Sequence, residues 1–425
     1  MNDEVPMTKF AKDREMAAAF FGHSSFGHYF VIRISSFVIF TTAFLILPSA
    51  PAQTNSAIEK VAGSYNAFGL KLLAQTRQSV PGKNVFLSPA GLAFALSMAA
   101  NGAQGETLRQ MMAALQQEAG APDLNEANQA LLGHLSKLNA KIKLEIANSL
   151  WTARDAKIKP AFLDVSRQFY QAEVASVDFK DPATAQKIND WCSDHTHGKV
   201  PKMVQPPLDA NRLILLDAIY FKGDWTVPFD KKLTRDLPFT LGNGQTVTHP
   251  RMSRTGDFEY YEDDAFQAVR LPYEGRAVSM YVFLPKKSLA EFLQNLTMAN
   301  WERWINQLRS RKGAVELPRF KLENEYDLKH VLEALGMPVA FTRRANFHGI
   351  SDESLYIDWV KQKTYVDVNE EGTEAAAVTG LGFRASVARR GEPPFRMVVD
   401  RPFFLAIREN PSGAMLFLGA IVDPR

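Results

Sequence analysis

The chain is 425 residues long, enough for two or three domains or one large one. A content of 46% hydrophobic and 22% charged residues is an ordinary globular mix and excludes disordered, collagenous and coiled-coil chains. With 49 Lys and Arg against 46 Asp and Glu, the surplus of +3 makes no case for a nucleic-acid partner. The single cysteine, Cys192, excludes an intrachain disulfide and a cysteine-based zinc cluster.

The first feature along the chain is Ile34–Leu47, an apolar run shorter than the ~20 residues a spanning helix needs. Arg33 precedes it, Lys9, Lys12 and Arg14 lie further upstream, Pro48 ends it, and Ala50-Pro51-Ala52 supplies the small residues of a cleavage site. This three-part pattern is that of a secretory signal over residues 1–52, with an uncleaved anchor as the alternative and Met16 as a second possible start. The mature chain is expected to begin near Gln53, to be secreted or periplasmic, and to have no stable membrane association after cleavage. Export without disulfides favours a bacterial route, on which the sequon Asn295-Leu296-Thr297 means nothing.

Residues 57–78 have helical periodicity. Ser88-Pro89 opens a second helix, with Ser as N-cap and Pro in the first turn, and Gly102 ends it. Its body is apolar nearly all round, which predicts burial on every side. Asn125–Leu138 is an amphipathic helix, Lys143–Trp151 alternates as a strand, and Asp181-Pro182 caps a helix running to Gly198. Leu213–Phe221 reads as a central strand buried on both faces. Gly242-Asn243-Gly244 marks a hairpin, and Phe266–Tyr273 and Val278–Leu284 are strands. Tyr326–Leu335 is expected to be a helix stopped by Gly336. In the strand Trp359–Asn369, alternation puts Val360, Gln362, Thr364, Val366 and Val368 on one face. Val398–Ile407 and Ala414–Val422 close the chain as a strand pair. Helices early and strands late, with no linker or repeat, give one α+β domain.

Catalytic motifs are absent from the sequence: it has no Gly-x-Ser-x-Gly, His-Glu-x-x-His or phosphate loop. His195 and His197 read as a solvated helix end rather than metal ligands, Cys192 as a packed thiol, and Lys137, Lys141 and Lys143 as a solvated face rather than a polyanion site. No cofactor is expected. A secreted hydrolase with a scattered active site is the reading outside any binding or inhibitory class.

The unusual segment is Glu370–Pro394, set between two strong strands; connections that long are usually functional. Its small residues Thr373, Ala375, Ala377 and Thr379 are spaced by two, so they would face one side of a strand that must slide between others. Arg384, Arg389 and Arg390 would be protease sites on an exposed loop.

Several motifs, in order along residues 57–425, together resemble the serpin family. They are Asn84-Val85-Phe86-Leu87-Ser88-Pro89, Gly102-Ala103-x-Gly105-x-Thr107, Ile188-Asn189-Asp190-Trp191 with Thr196-His197-Gly198-Lys199, and Ala218–Trp225. Leu317-Pro318-Arg319-Phe320, Leu335-Gly336-Met337, Arg401-Pro402-Phe403 and Phe417-Leu418-Gly419 continue the series. The most specific is the hinge Val368-Asn369-Glu370-Glu371-Gly372-Thr373-Glu374-Ala375-Ala376-Ala377. The resemblance implies three β-sheets, eight or nine helices, an exposed reactive-centre loop at about 370–394, and a monomer that is not an enzyme. It implies a suicide substrate of serine proteases: the cleaved loop enters the large sheet and carries the acyl-enzyme with it. A non-inhibitory binding or carrier protein is the alternative. The hinge residues Glu370, Glu371, Gly372, Thr373, Glu374, Ala375, Ala376 and Ala377 favour inhibition, because Thr373 is small and uncharged.

The family's usual loop length puts the attacked bond at Ser386-Val387, with Ala385-Ser386, Arg384, Arg389 and Arg390 as alternatives. A small residue there points to elastase-like or subtilisin-like proteases, an arginine to trypsin-like ones. Ser88, Asp217, Gln362 and Trp225 fall where the sheet must open. Asp217 and Gln362 stand where the family usually has Asn and His; they are expected to be hydrogen-bonded to each other, with a backbone partner for each as the alternative.

Overall fold

Hydrophobic periodicity and cap chemistry set most of the elements found in the computed structural model, which describes residues 50–118, 121–138, 141–208, 212–373 and 393–425. Nine α-helices occur among these residues: α1 Ala50–Ser79, α2 Pro89–Ala100, α3 Gly105–Ala114, α4 Ala121–Leu135, α5 Pro160–Tyr170, α6 Pro182–His195, α7 Leu289–Gln294, α8 Met298–Ile305 and α9 Lys329–Ala334. The strands before the middle of the chain are β1 Val85–Leu87, β2 Ile142–Ala153, β3 Glu173–Val177, β4 Leu213–Asp224, β5 Arg235–Thr240 and β6 Thr246–Glu262. They are followed by β7 Phe266–Pro272, β8 Val278–Pro285, β9 Arg309–Pro318, β10 Phe320–Asp327 and β11 Ile357–Val368. The last four are β12 Gly372–Thr373, β13 Phe395–Val398, β14 Phe403–Glu409 and β15 Met415–Ile421. The described residues form one compact unit.

The strands make a six-stranded sheet, ordered β10-β11-β12-β4-β2-β3, and a nine-stranded one. In the larger sheet β1, β15, β14, β8 and β7 join β6, β9, β13 and β5 through the 17-residue β6. β6 pairs with β5 and β9 along most of its length and with β7 at its end. The expected three sheets are these two halves and the six-stranded sheet.

Helix α2 fills the space between the sheets. Ser88 caps it, accepting from the Gly91 N–H at 3.2 Å, and all of its residues are buried, as its apolar sequence requires. It touches β2 and β4 of one sheet and β15 of the other. β4 is buried on both faces. Leu213, Leu215, Ile219 and Phe221 join the main core with α2, and Ile214, Leu216 and Ala218 join a smaller core with α6 and Cys192.

Two expected elements are corrected. Tyr326 lies in strand β10, where it pairs with Gln362 of β11, and only Lys329–Ala334 is helical before Gly336 turns at φ +103°. Polar alternation along Phe320–Asp327 let cross-strand pairing decide that segment. Val398 ends β13 rather than opening the last strand pair, and Phe403 begins β14 after Arg401-Pro402. α1 starts at Ala50, inside the expected cleavage segment.

Candidate functional site

The site is the seam between β4 and β11, the two neighbouring parallel strands of the six-stranded sheet, together with the segment entering it from above. Direct pairing of β4 and β11 runs from Leu213 and Ile357 to Tyr220 and Tyr365. Beyond that the hinge takes their place. Val368 turns through Asn369–Glu371 into β12, where Thr373 pairs with Val368 on one side and Gly223 on the other. Asn369 forms the turn: its Oδ1 accepts from the Glu371 and Gly372 N–H groups at 3.0 and 3.3 Å.

Gly372 has to be glycine because a Cβ there would collide with the Gly223 carbonyl oxygen and stand 2.7 Å from the Asp224 Cα. Thr373 is fully buried, and its hydroxyl meets the Tyr273 hydroxyl at 2.8 Å. The Tyr273 ring stacks on Trp225 at 4.5 Å and lies edge-on to Phe221. Trp225 therefore lines the seam from beneath; its indole N–H donates to the Asn369 carbonyl at 3.0 Å and its backbone N–H to that of Glu371 at 2.8 Å.

Glu370 is buried, accepts from the Thr234 hydroxyl at 2.7 Å, and faces Arg319 at 3.6 Å. Glu371 pairs with Lys231 at 2.5 Å. The four described hinge residues, Glu370, Glu371, Gly372 and Thr373, are thus held by five segments: Gly223–Trp225, Lys231–Thr234, Tyr273, Arg319 and Val368. Glu374, Ala375, Ala376 and Ala377, and the candidate scissile positions Arg384, Ala385, Ser386, Val387, Arg389 and Arg390, lie outside the described residues. So does the expected signal segment up to residue 49.

Lower in the seam the bond between Asp217 and Gln362 is present. Gln362 Nε2 donates to Asp217 Oδ2 at 2.5 Å and to the Ser88 carbonyl at 2.8 Å, while its Oε1 accepts from the Ser88 N–H at 3.0 Å. One amide thus ties β11 to β4 and to the cap of α2. Burial, only partly offset by the Gln362 hydrogen bond, pushes the Asp217 carboxyl up from its ordinary value to about 7. Gly91 makes the room: a Cβ there would sit 2.6 Å from Asp217 Oδ1. Two residues further along β11, the Thr364 hydroxyl donates to the Phe86 carbonyl at 2.8 Å.

Sequence reasoning missed Thr364, Tyr273, Thr234, and the anchor of the segment's far end. There β13 is the edge strand on β9, with Phe395 stacked on Tyr260 at 3.7 Å. Glu316 pairs with Arg396 at 2.7 Å and with Arg251 at 3.1 Å. Only Thr364 carried a signal, its place on the face of Gln362; the others depend on which strands meet.

His195 and His197 are set apart. His195 bonds the Trp191 carbonyl at 2.8 Å and His197 the Glu145 carboxylate at 3.2 Å. No group of three metal-ligating side chains occurs among the described residues. Cys192 is buried, and burial pushes its thiol up to about 12. Lys137, Lys141 and Lys143 are exposed.

A two-residue strand is wedged between the two long parallel strands of the six-stranded sheet, at the head of a long connection to the nine-stranded one. The comparisons agree. The family described as "Serpin (serine protease inhibitor)" matches residues 63–424. Leukocyte elastase inhibitor of Bos taurus is 35% identical over 382 residues, covering 86% of this chain and all of that one. Native protease nexin-1 with heparin superposes with a TM-score of 0.79 at 28% identity, covering 86% of this chain and 100% of the other. Thyroxine-binding globulin in complex with thyroxine does so at 0.79 and 26%, covering 86% and 99%. The chain belongs to the serpin family, described as that of the serine protease inhibitors.

Proposed function

We propose that this chain is an exported suicide-substrate inhibitor of serine proteases, which traps the acyl-enzyme by drawing the cleaved loop into the seam between β4 and β11. The observation that carries the reading is the register of β12. Thr373 already pairs with Gly223 and Val368, and Gly372 with Asp224. Extended in the same register, Ala375 falls between Phe221 and Val366, Ala377 between Ile219 and Thr364, and Thr379 between Asp217 and Gln362. The last two couples are partners across β4 and β11 now. The new strand therefore needs no slip of either neighbour, and its small side chains arrive on the α2 face.

About 14 inserted residues at ~3.3 Å each span ~46 Å, enough to carry a protease across a domain. Roughly ten new ladder bonds at ~1 kcal/mol net give about 10 kcal/mol of driving force, so the intact state is kept by kinetics. The scissile bond is Ser386-Val387 or Ala385-Ser386, which makes elastase-like or subtilisin-like proteases the targets; trypsin-like enzymes would use Arg384, Arg389 or Arg390. The protein acts as a monomer, outside the cytoplasm.

Incubation with elastase and subtilisin is expected to give an SDS-resistant adduct and a released peptide beginning at Val387 or Ser386. If every protease tested cuts the loop and leaves active, the carrier reading, kept open by the likeness to thyroxine-binding globulin, takes its place.

A further inference from the structure

Three polar side chains stand in one row across three strands. Asn148 of β2 pairs with Asp217 of β4, and Asp217 pairs with Gln362 of β11, so all three point to the α2 side of the sheet. All are buried. The Gln362 amide is occupied by Asp217 and Ser88. That leaves Asp217 Oδ1 and Asn148 Oδ1, two buried oxygens on facing residues, neither of which receives a hydrogen bond. Two acceptors cannot satisfy each other. One proton on Asp217 Oδ1 turns it into a donor and satisfies both.

We propose that Asp217 holds a proton in the closed sheet and forms with Asn148 and Gln362 a proton-operated clasp across β2, β4 and β11. With the proton in place the three strands are tied together. Without it a bare carboxylate and an orphan carbonyl are buried on the facing strands β4 and β2, and the closed sheet is less stable.

The surroundings favour the neutral acid. Helix α2, packed against this face, contains no titratable residue, and neither do β1 and β15. On β4 the same-face neighbours are Leu215 and Ile219, on β2 they are Ile146 and Leu150, and on β11 they are Val360 and Thr364. Besides Asp217, the titratable group in the row is Tyr326 of β10, the register partner of Gln362, kept neutral by burial that pushes it up to about 12. Lys361 and Lys363 alternate to the opposite face, where they meet Glu325 and Glu323 at 3.6 and 3.2 Å. Glu145 and His197 pair on that opposite face too. Among the described residues no cation thus faces the carboxylate, in keeping with a carboxyl that burial pushes up to about 7.

The sign follows from linkage. A carboxyl held above its ordinary value stabilises the closed sheet fully below about pH 4 and loses that effect as pH rises through about 7.

The test needs no protease, so it stands apart from the inhibitory reading. In Asp217→Asn the amide donates to Asn148 and accepts from Gln362, copying the protonated acid at every pH. Between about pH 5.5 and about pH 8.5 the thermal midpoint of the intact wild-type chain is expected to fall by about 5 °C more than that of Asp217→Asn. Equal pH dependence of the two would overturn the proposal. Should the variant fail to fold, carbon-13 titration of the aspartate carboxyls in the folded wild-type chain decides. A midpoint near 7 upholds the clasp. Absence of any aspartate titrating above about pH 5 overturns it, and would mean that the Asn148 amide is turned to donate to an ionised Asp217.

Discussion

Thr373 bears the strictest demand placed on any one side chain of the seam. It is fully buried against the Tyr273 hydroxyl, on the apolar face of the sheet that packs on α2. Thr373→Arg would force a charge into that position, so the hinge would stay out and the protein is expected to be cut as a substrate instead of trapping the protease. The ratio of inhibitor consumed to enzyme inactivated measures this; an unchanged ratio would refute the insertion geometry. Gln362 is next. Its loss strands the Ser88 N–H and Asp217 Oδ2, while the Ser88 carbonyl keeps the Leu92 N–H. Gln362→Leu is expected to cost roughly 1–3 kcal/mol of native-state stability and to promote polymers on mild heating. The loss should be smaller in an Asp217→Asn background, where no carboxyl is left without its donor. Equal losses in both backgrounds, by denaturant unfolding, would show the two sites uncoupled.

At the scale of elements, β12 decides whether the seam is poised or closed. Gly372→Ala has no room beside Gly223 and Asp224, so the hinge is expected to leave the sheet. The Trp225 N–H would lose the Glu371 carbonyl and Asn369 the turn that its side chain builds. Hydrogen exchange at Trp225 and Thr373 reports this directly: faster exchange is expected, and native protection would mean the hinge tolerates a side chain. Elements with a strong local pattern were legible in the sequence. α2 announced itself by Ser88-Pro89 and an apolar body, β4 by its continuous apolar run, and the β5–β6 hairpin by Gly242-Asn243-Gly244. The Asp217–Gln362 contact was legible because two polar residues on buried faces each needed a partner. What depended on partners chosen from afar was not. Tyr326–Asp327 joined β10 because β11 lay beside it, and β6 runs through two half-sheets that sequence spacing treats as separate. The Glu316 link between Arg251 and Arg396 spans β6, β9 and β13, and nothing local in any of the three marks it.

For the whole molecule, two anchors in two different sheets are decisive. Gly372 and Thr373 are seated in the six-stranded sheet, and Phe395–Val398 is held on β9 of the nine-stranded one. While the chain between them is continuous, the rest of the loop cannot follow Thr373 into the seam without stripping β13 from β9. A single cut removes that restraint. The direct measurement is the thermal midpoint of the intact protein against that of the same protein nicked once within residues 374–392. With about 10 kcal/mol of added strand pairing, the nicked form is expected to melt higher, by on the order of 20 °C or more. A nicked form that melts at or below the temperature of the intact chain would contradict strand insertion.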